Sequence, residues 1–253
     1  MFGLFSNTLR CLIGQSFEDL EIVIISNGND GFMNDKIRVL CSNSSRIKLF
    51  ELKNIVGAQI SMNFGFTVSS GEFVSFHDQD DISSQDRFKK LLLSMDDDII
   101  GSNINIIHGE NIRVKGFDQD AVINKFIDRK LIKSPAHFGS LIMKRELFLE
   151  MGGFEYNWTA DSLFCIKVNL LRYFGFGKKL KMIKEPLFSW IRHQSSNTSG
   201  KRGLVEKDAL DSRNKILQNH QSILSSKYSE LKGFLGITDN FKKCIGIEFA
   251  RII

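Results

Sequence analysis

The chain has 253 residues, of which 42% are hydrophobic and 25% charged, with a formal net charge of +5, so it can bury a full core. No apolar run approaches the roughly 20 residues of a membrane span, and the first ten residues lack the charged-then-apolar layout of a secretory signal, so the expected location is the cytoplasm. The charge is too modest to call for nucleic acid, though it permits an acidic ligand or an anionic membrane surface, and Cys11, Cys41, Cys165 and Cys244 show neither zinc-site spacing nor a disulfide pattern.

Residues 1–17 predict a helix, because Leu4, Phe5, Thr8, Leu9, Leu12 and Ile13 recur at three- and four-residue spacing and Gly14 stands near the end. A β-branched run at 20–25 predicts a strand. It empties into the polar, glycine-bearing loop 26–31, of the kind that brings backbone close to a ligand. A short helix over 33–41, a strand over 47–52, a helix over 57–69 closed by Gly71 as C-cap, and a strand over 72–76 follow. That alternation is the signature of a parallel sheet with crossover helices. Farther on, Ser84 is expected to cap a helix to about 95, with Phe88, Leu91 and Leu92 as its buried stripe and Arg87, Lys89 and Lys90 facing solvent. Strands are expected at 99–107 and 138–144, a hairpin return at 109–117, helices at 145–151 and from Thr159 to a stop at Gly175, and an extended segment over 180–192 broken at Pro186. From residue 200 the chain changes to two basic amphipathic helices, 204–231 and 239–251. This divides it into a domain over 1–199 and a helical extension over 200–253.

The strand over 72–76 leads, through His77, into Asp78-Gln79-Asp80-Asp81, three carboxylates within four residues. Like charge at that density repels itself. A divalent Mg²⁺ or Mn²⁺ ion would compensate it, since these ions favour carboxylate oxygen and leave positions for a substrate's phosphates. The carboxyl end of a strand in an open α/β sheet is also where ligand crevices lie. Taken alone, the same residues read equally well as a solvated turn before the next helix.

The motifs, in their order, resemble the family 2 glycosyltransferases of the GT-A, or nucleotide-diphospho-sugar transferase, fold. Leu12-Ile13-Gly14-Gln15-Ser16-Phe17 ahead of Glu21-Ile22-Val23-Ile24 is similar to the family's helix ending in Q-[ST]-[FY] before its second strand. Asn54, Gly57, Asn63, Gly65 and Gly71 fall on its N-x-G, A-x-N-x-G and a-x-G-E-[YF] run, and Asp78-Gln79-Asp80-Asp81 stands for its D-x-D-D. Gly152-Gly153-Phe154 with Ala160-Asp161 resembles the G-G-F and E-D pair, and Arg192-His193 the closing R-x-H region. The resemblance covers about 8–198. The chain departs from it in three places. The family's first strand and P-T-Y-N-like segment would precede Thr8, where only seven residues stand, which implies an N-terminally truncated domain. Ser26-Asn27-Gly28-Asn29 replaces the usual D-D-G-S, and Ala160 replaces the Glu of the E-D pair.

The resemblance implies an α/β GT-A fold, with a mainly parallel sheet flanked by helices and a helical C-terminal tail. It implies an inverting transfer of a hexosyl or N-acetylhexosaminyl group from a nucleotide-diphospho-sugar, UDP-sugar favoured, to a hydroxyl of a cell-surface polysaccharide or lipid-linked acceptor. Asp80 would ligate Mg²⁺ or Mn²⁺ directly. Asp78 would contact the metal through water or hold the ribose, and Asp81 would support both or position the donor sugar. Asn27 would meet the nucleobase, and Asn63 with Asn54 would shape the nucleotide pocket. His193 would complete the metal shell, Arg192 would pair with phosphate, and Asp161 would be the general base. The basic C-terminal helices would dock peripherally on an anionic inner membrane. Haloacid-dehalogenase-type phosphatases also place D-x-D at a strand end, but Ile82 at the fifth position and the late position of the strand argue against them. A calcium loop fails on Ile82 and Ser83. The competing non-enzyme reading is a truncated or degenerate transferase acting only as a binding or inactive partner.

Overall fold

The computed structural model describes residues 2–119, 134–154, 160–173, 175 and 180–194. Helix α1 (Phe2–Ile13) buries Thr8 and Leu9 and stops where the Gly14 N–H bonds Arg10 O. Strand β1 (Ile22–Asn27) follows, then α2 (Gly31–Cys41), whose N-cap Asp30 accepts the Met33 N–H at 2.8 Å. Next come β2 (Ile47–Leu52), α3 (Ala58–Val68), β3 (Phe73–Val74), β4 (Ile82–Ser83) and α4 (Arg87–Leu93). The long strand β5 (Ile99–His108) turns at Gly109, φ +60°, into β6 (Asn111–Lys115). The remaining elements are β7 (Ile142–Lys144), α5 (Arg145–Glu150), α6 (Ala160–Tyr173) and β8 (Leu180–Ile191). The expected C-terminal helices and the Thr159 cap lie outside the described residues.

The sheet is mixed and stands in two pieces. Strands β1 and β2 run parallel over six residue pairs as one piece. The other has the order β3-β7-β5-β8-β4 with β6 beside β5, and its longest ladder, β5 with β8, is parallel over nine pairs. Among the described residues β1 pairs only with β2 and β3 only with β7. Glu21 joins the two pieces. Its carboxylate accepts the Ser70 and Gly71 backbone N–H groups, ahead of β3, and pairs with Lys48 Nζ at 2.7 Å. Partial burial pushes this carboxyl up, but Lys48 and the Ser70 and Gly71 donors outweigh it and hold it down at about 2. Glu21→Gln, which keeps the shape and loses the charge, should lower stability by roughly 1 kcal/mol in a urea titration.

Five local expectations need correction. Gly71 is not the C-cap of α3: the helix stops at Val68, where the Ser69 N–H bonds Gly65 O, and Gly71 instead donates to Glu21. Ser84 does not cap α4. Its N–H bonds Leu187 O while Ile82 and Ser83 pair with β8, so this stretch belongs to the sheet and the helix begins at Arg87. Arg87 does not face solvent; it is 0% exposed. The segment expected as a strand from 138 opens as a 3₁₀ turn, Phe138–Ser140, before β7. At Pro186 the strand bulges but does not break: the register slips opposite Asn103, whose side-chain amide donates to Lys184 O at 2.9 Å.

The core beneath the larger sheet is rich in phenylalanine. Phe66, Phe76, Phe138, Phe148, Phe154 and Phe164 interlock, with Phe138–Phe154 centroids at 4.8 Å and Phe76–Phe148 at 4.9 Å. This cluster ties α3, α5, α6 and the Gly152-Gly153-Phe154 segment to the chain just before the acidic turn. Among the described residues no helix is long and apolar enough to cross a membrane.

Candidate active site

The acidic turn between β3 and β4 is held by its backbone. The Thr8 hydroxyl, on α1, lies 3.0 Å from Gln79 O and 2.8 Å from Asp81 O, with both carbonyls as acceptors. His77 Nδ1 lies 2.8 Å from Asp78 O. Asp81 is also tied by its side chain, since Oδ1 accepts the Ile191 N–H of β8 at 2.9 Å. The turn is therefore gripped from α1 on one side and the last strand on the other.

The carboxylates respond to that confinement. Asp78 is exposed at the surface of the turn, yet the protein packed around it displaces water, and that, then the Asp80 and Asp161 charges, push its carboxyl up to about 6. Asp81 is 1% exposed, and its Oδ2 has no hydrogen-bond partner. Burial, followed by the Asp78 and Asp80 charges, carries it to about 8 against the opposing Ile191 N–H and Arg87. Asp80 Oδ2 meets His193 Nε2 at 2.7 Å, across 113 positions of sequence. Asp161 sits in the first turn of α6. Desolvation raises its carboxyl against the Ser162 and Asp161 N–H groups, and its charge is felt at Asp78. Asp78, Asp80, Asp81, Asp161 and His193, drawn from three separate stretches of sequence, thus face one region.

The two asparagines are tied to backbone. Asn27 Oδ1, at the end of β1, accepts the Val56 N–H at 2.9 Å. The adjoining Gly28, φ +69°, leaves no room for a Cβ, which would stand 2.8 Å from Ile55 N. Asn63, on α3, holds Phe154 with both ends of its amide, donating to its carbonyl and accepting its N–H, each at 3.0 Å. Asn63 thus anchors the Gly152-Gly153-Phe154 segment to α3.

The donor set fits a hard divalent cation. Three carboxylates crowd together, Asp78 and Asp81 raised by burial first and then by neighbouring carboxylate charge, and a buried Asp81 oxygen lacks any partner. Among the described residues no three such side chains already converge on a single point. The sequence reading missed Thr8, His77, Ser83 and Arg87 as parts of this site. Thr8 and Arg87 lie on helices at positions with no local signal, and strand alternation points His77 away from Asp78.

A mixed α/β sheet flanked by helices, with an acidic turn at a strand end, has the architecture of the GT-A fold. Solved structures share the fold. Staphylococcus aureus TarS 1-349 in complex with UDP-GlcNAc aligns with a TM-score of 0.62 at 16% identity, over 91% of this chain and 66% of that one. The mannosyltransferase PcManGT from Pyrobaculum calidifontis, in complex with GDP-Man and Mn²⁺, aligns at 0.54 and 16% identity, over 94% and 66%. The chain belongs to glycosyl transferase family 2, whose family model matches residues 4–148. Relatives include an uncharacterized glycosyltransferase of Haemophilus influenzae, 24% identical over 65% of this chain and 55% of its own length, and the O-antigen biosynthesis glycosyltransferase WbnJ of Escherichia coli, 26% identical over 58% and 59%. The chain therefore spans between half and two thirds of the length of these proteins.

Proposed function

We propose that this family 2 glycosyltransferase carries out an inverting transfer of a hexosyl or N-acetylhexosaminyl group from a nucleotide-diphospho-sugar, a UDP-sugar by preference, to a hydroxyl of a cell-surface polysaccharide or lipid-linked acceptor. The observation that carries this reading is the convergence of the acidic turn with Asp161 and His193, shown by the charge of Asp161 at Asp78 and the Asp80–His193 contact.

Asp80 and His193, with Asp78, would hold Mg²⁺ or Mn²⁺. When bound, the ion neutralises the negative charge that grows on the departing diphosphate. Asp81 stands behind them and holds the turn to β8. Asp161 accepts the acceptor hydroxyl's proton as the oxygen bonds the anomeric carbon, while the bond from that carbon to the diphosphate oxygen breaks on the opposite face. The raised affinity of Asp161 for a proton suits a base that must take one up. Asn27 stands at the end of β1, where a nucleobase would lie, and Asn63 shapes the nucleotide pocket through Phe154. The basic helices after residue 200 would dock on an anionic membrane carrying the acceptor. The domain would run over 1–199, with the helical extension over 200–253, in the cytoplasm.

A screen of UDP-, GDP- and dTDP-sugars with Mn²⁺, read by calorimetry and by release of nucleotide, tests this. Binding of one class with turnover supports it, and the absence of any nucleotide affinity refutes it. A second reading is favoured by the sheet's division, in which β1 pairs only with β2 among the described residues: a degenerate transferase would bind nucleotide without turnover.

A further inference from the structure

Of the three acidic side chains Asp81 is tied to β8 and Asp80 meets His193, while the carbonyls of the turn are held by Thr8 and His77. One of those holds traces back to Arg87. Its fully buried guanidinium donates from Nη1 to Ser83 Oγ at 2.9 Å, and from Nη2 to Ser75 Oγ at 2.7 Å, Gly139 O at 2.6 Å and Leu141 O at 3.1 Å. A guanidinium only donates, so Ser83 Oγ accepts from it and keeps its own proton to give. That proton faces His77 Nε2 at 3.0 Å. At the far end Asp78 O only accepts, so His77 Nδ1 carries the ring proton across its 2.8 Å contact. A donor-only group at one end and an acceptor-only group at the other give the chain a single direction, and they leave His77 a single neutral tautomer. The ring also packs at a tilt against Phe188, with centroids 5.1 Å apart.

We propose that Arg87, Ser83 and His77 form a one-way hydrogen-bond relay that holds the Asp78 peptide, and so act as positioning residues for the nucleotide-diphosphate-binding acidic turn. The relay is read from the geometry alone; what the turn binds rests on the function proposed above. A purely space-filling His77 would tolerate any polar replacement of similar size. A relay discriminates. In His77→Asn the side-chain amide nitrogen takes the place of Nδ1 and can still donate to Asp78 O. In His77→Gln the nitrogen stands at the Nε2 position and cannot.

Two measurements test the proposal. Nitrogen-15 NMR of the histidine rings in the unaltered protein should show His77 protonated at Nδ1 and bare at Nε2; the opposite tautomer overturns the relay without recourse to any variant. Affinities for UDP and for GDP, each with Mn²⁺, should then be measured alongside melting temperatures. His77→Asn should stay within about threefold of the unaltered protein, whereas His77→Gln and Ser83→Ala, at melting temperatures matched to it, should weaken binding roughly tenfold, the effect of one lost hydrogen bond. Equal affinities for the Asn and Gln variants overturn the proposal. If the unaltered protein binds neither nucleotide, the functional reading falls, and the tautomer still decides the relay.

Discussion

Asp161→Asn is expected to bind a nucleotide-sugar within about twofold of the unaltered protein while kcat falls roughly 10²–10⁴-fold, the usual share of a positioned general base. The side chain is nearly the same in shape, the first turn of α6 keeps its backbone donors, and only the capacity to take up a proton is lost. Asp80→Asn should fail in the opposite way. It removes an anionic oxygen from the His193 contact and from the cation site, so the increment that Mn²⁺ adds to donor affinity should vanish, with turnover lost as a consequence. Calorimetry with and without Mn²⁺, beside single-turnover kinetics, separates the two. Equal loss of binding in both variants contradicts the division of roles. The electrostatic link supplies an internal check: without the Asp161 charge, the Asp78 carboxyl should move down from about 6, since Asp161 is one of the causes that raise it.

The frame of this fold was legible in the sequence wherever periodicity was long. Residues 47–52 were expected as a strand and are β2, and the helices over 2–13, 31–41 and 58–68 lie within two residues or so of their expected starts. The expected strand of 72–76 shrinks to Phe73–Val74, and Ile82–Ser83 pairs with β8 where a loop was expected. Two-residue strands have no period of their own, since partners far along the chain create them. The same holds for the site. Its acids could be found because three carboxylates in four residues stand at the place the ordered motifs on both sides assign to them; alone they read equally well as a solvated turn. What steadies them could not. Arg87 lies among Lys89 and Lys90 in sequence and reads as another solvated cation; the acceptors at Gly139 and Leu141, with the Ser75 and Ser83 hydroxyls, make its burial tolerable. Thr8 looks like one more residue of an amphipathic helix, and its partners are 71 and 73 positions away.

Without a divalent ion, stability should fall by about 1 kcal/mol between pH 6.5 and 8, and Mn²⁺ should remove or reverse the fall. Asp81 is raised in the fold from 3.8 to about 8, by burial first. The native state therefore holds a proton that the unfolded chain has already released; that contribution is complete below pH 3.8 and is lost as pH rises through 8. The buried histidines act in the other direction. Burial first, then the Arg87 charge at His77 and the Lys115 and Arg87 charges at His137, lower them from 6.5 to about 3 and about 4, so their contribution is complete above 6.5 and is lost as pH falls. Asp78, at about 6, has nearly finished titrating by pH 6.5. Across the window from 6.5 to 8 the proton held by Asp81 dominates, with a slope of up to about 1.4 kcal/mol per pH unit, and release of protons from the two histidines in the unfolded chain offsets roughly 0.4 kcal/mol each. A cation that binds the ionised carboxylates gains affinity over the same window, so it opposes that slope. Melting temperatures from pH 6 to 8.5, with chelator and then with saturating Mn²⁺, check this, and Asp81→Asn should flatten the metal-free curve. A metal-free curve already flat in the unaltered protein would mean that Asp81 is ionised throughout, with the buried guanidinium of Arg87 as its counter-charge.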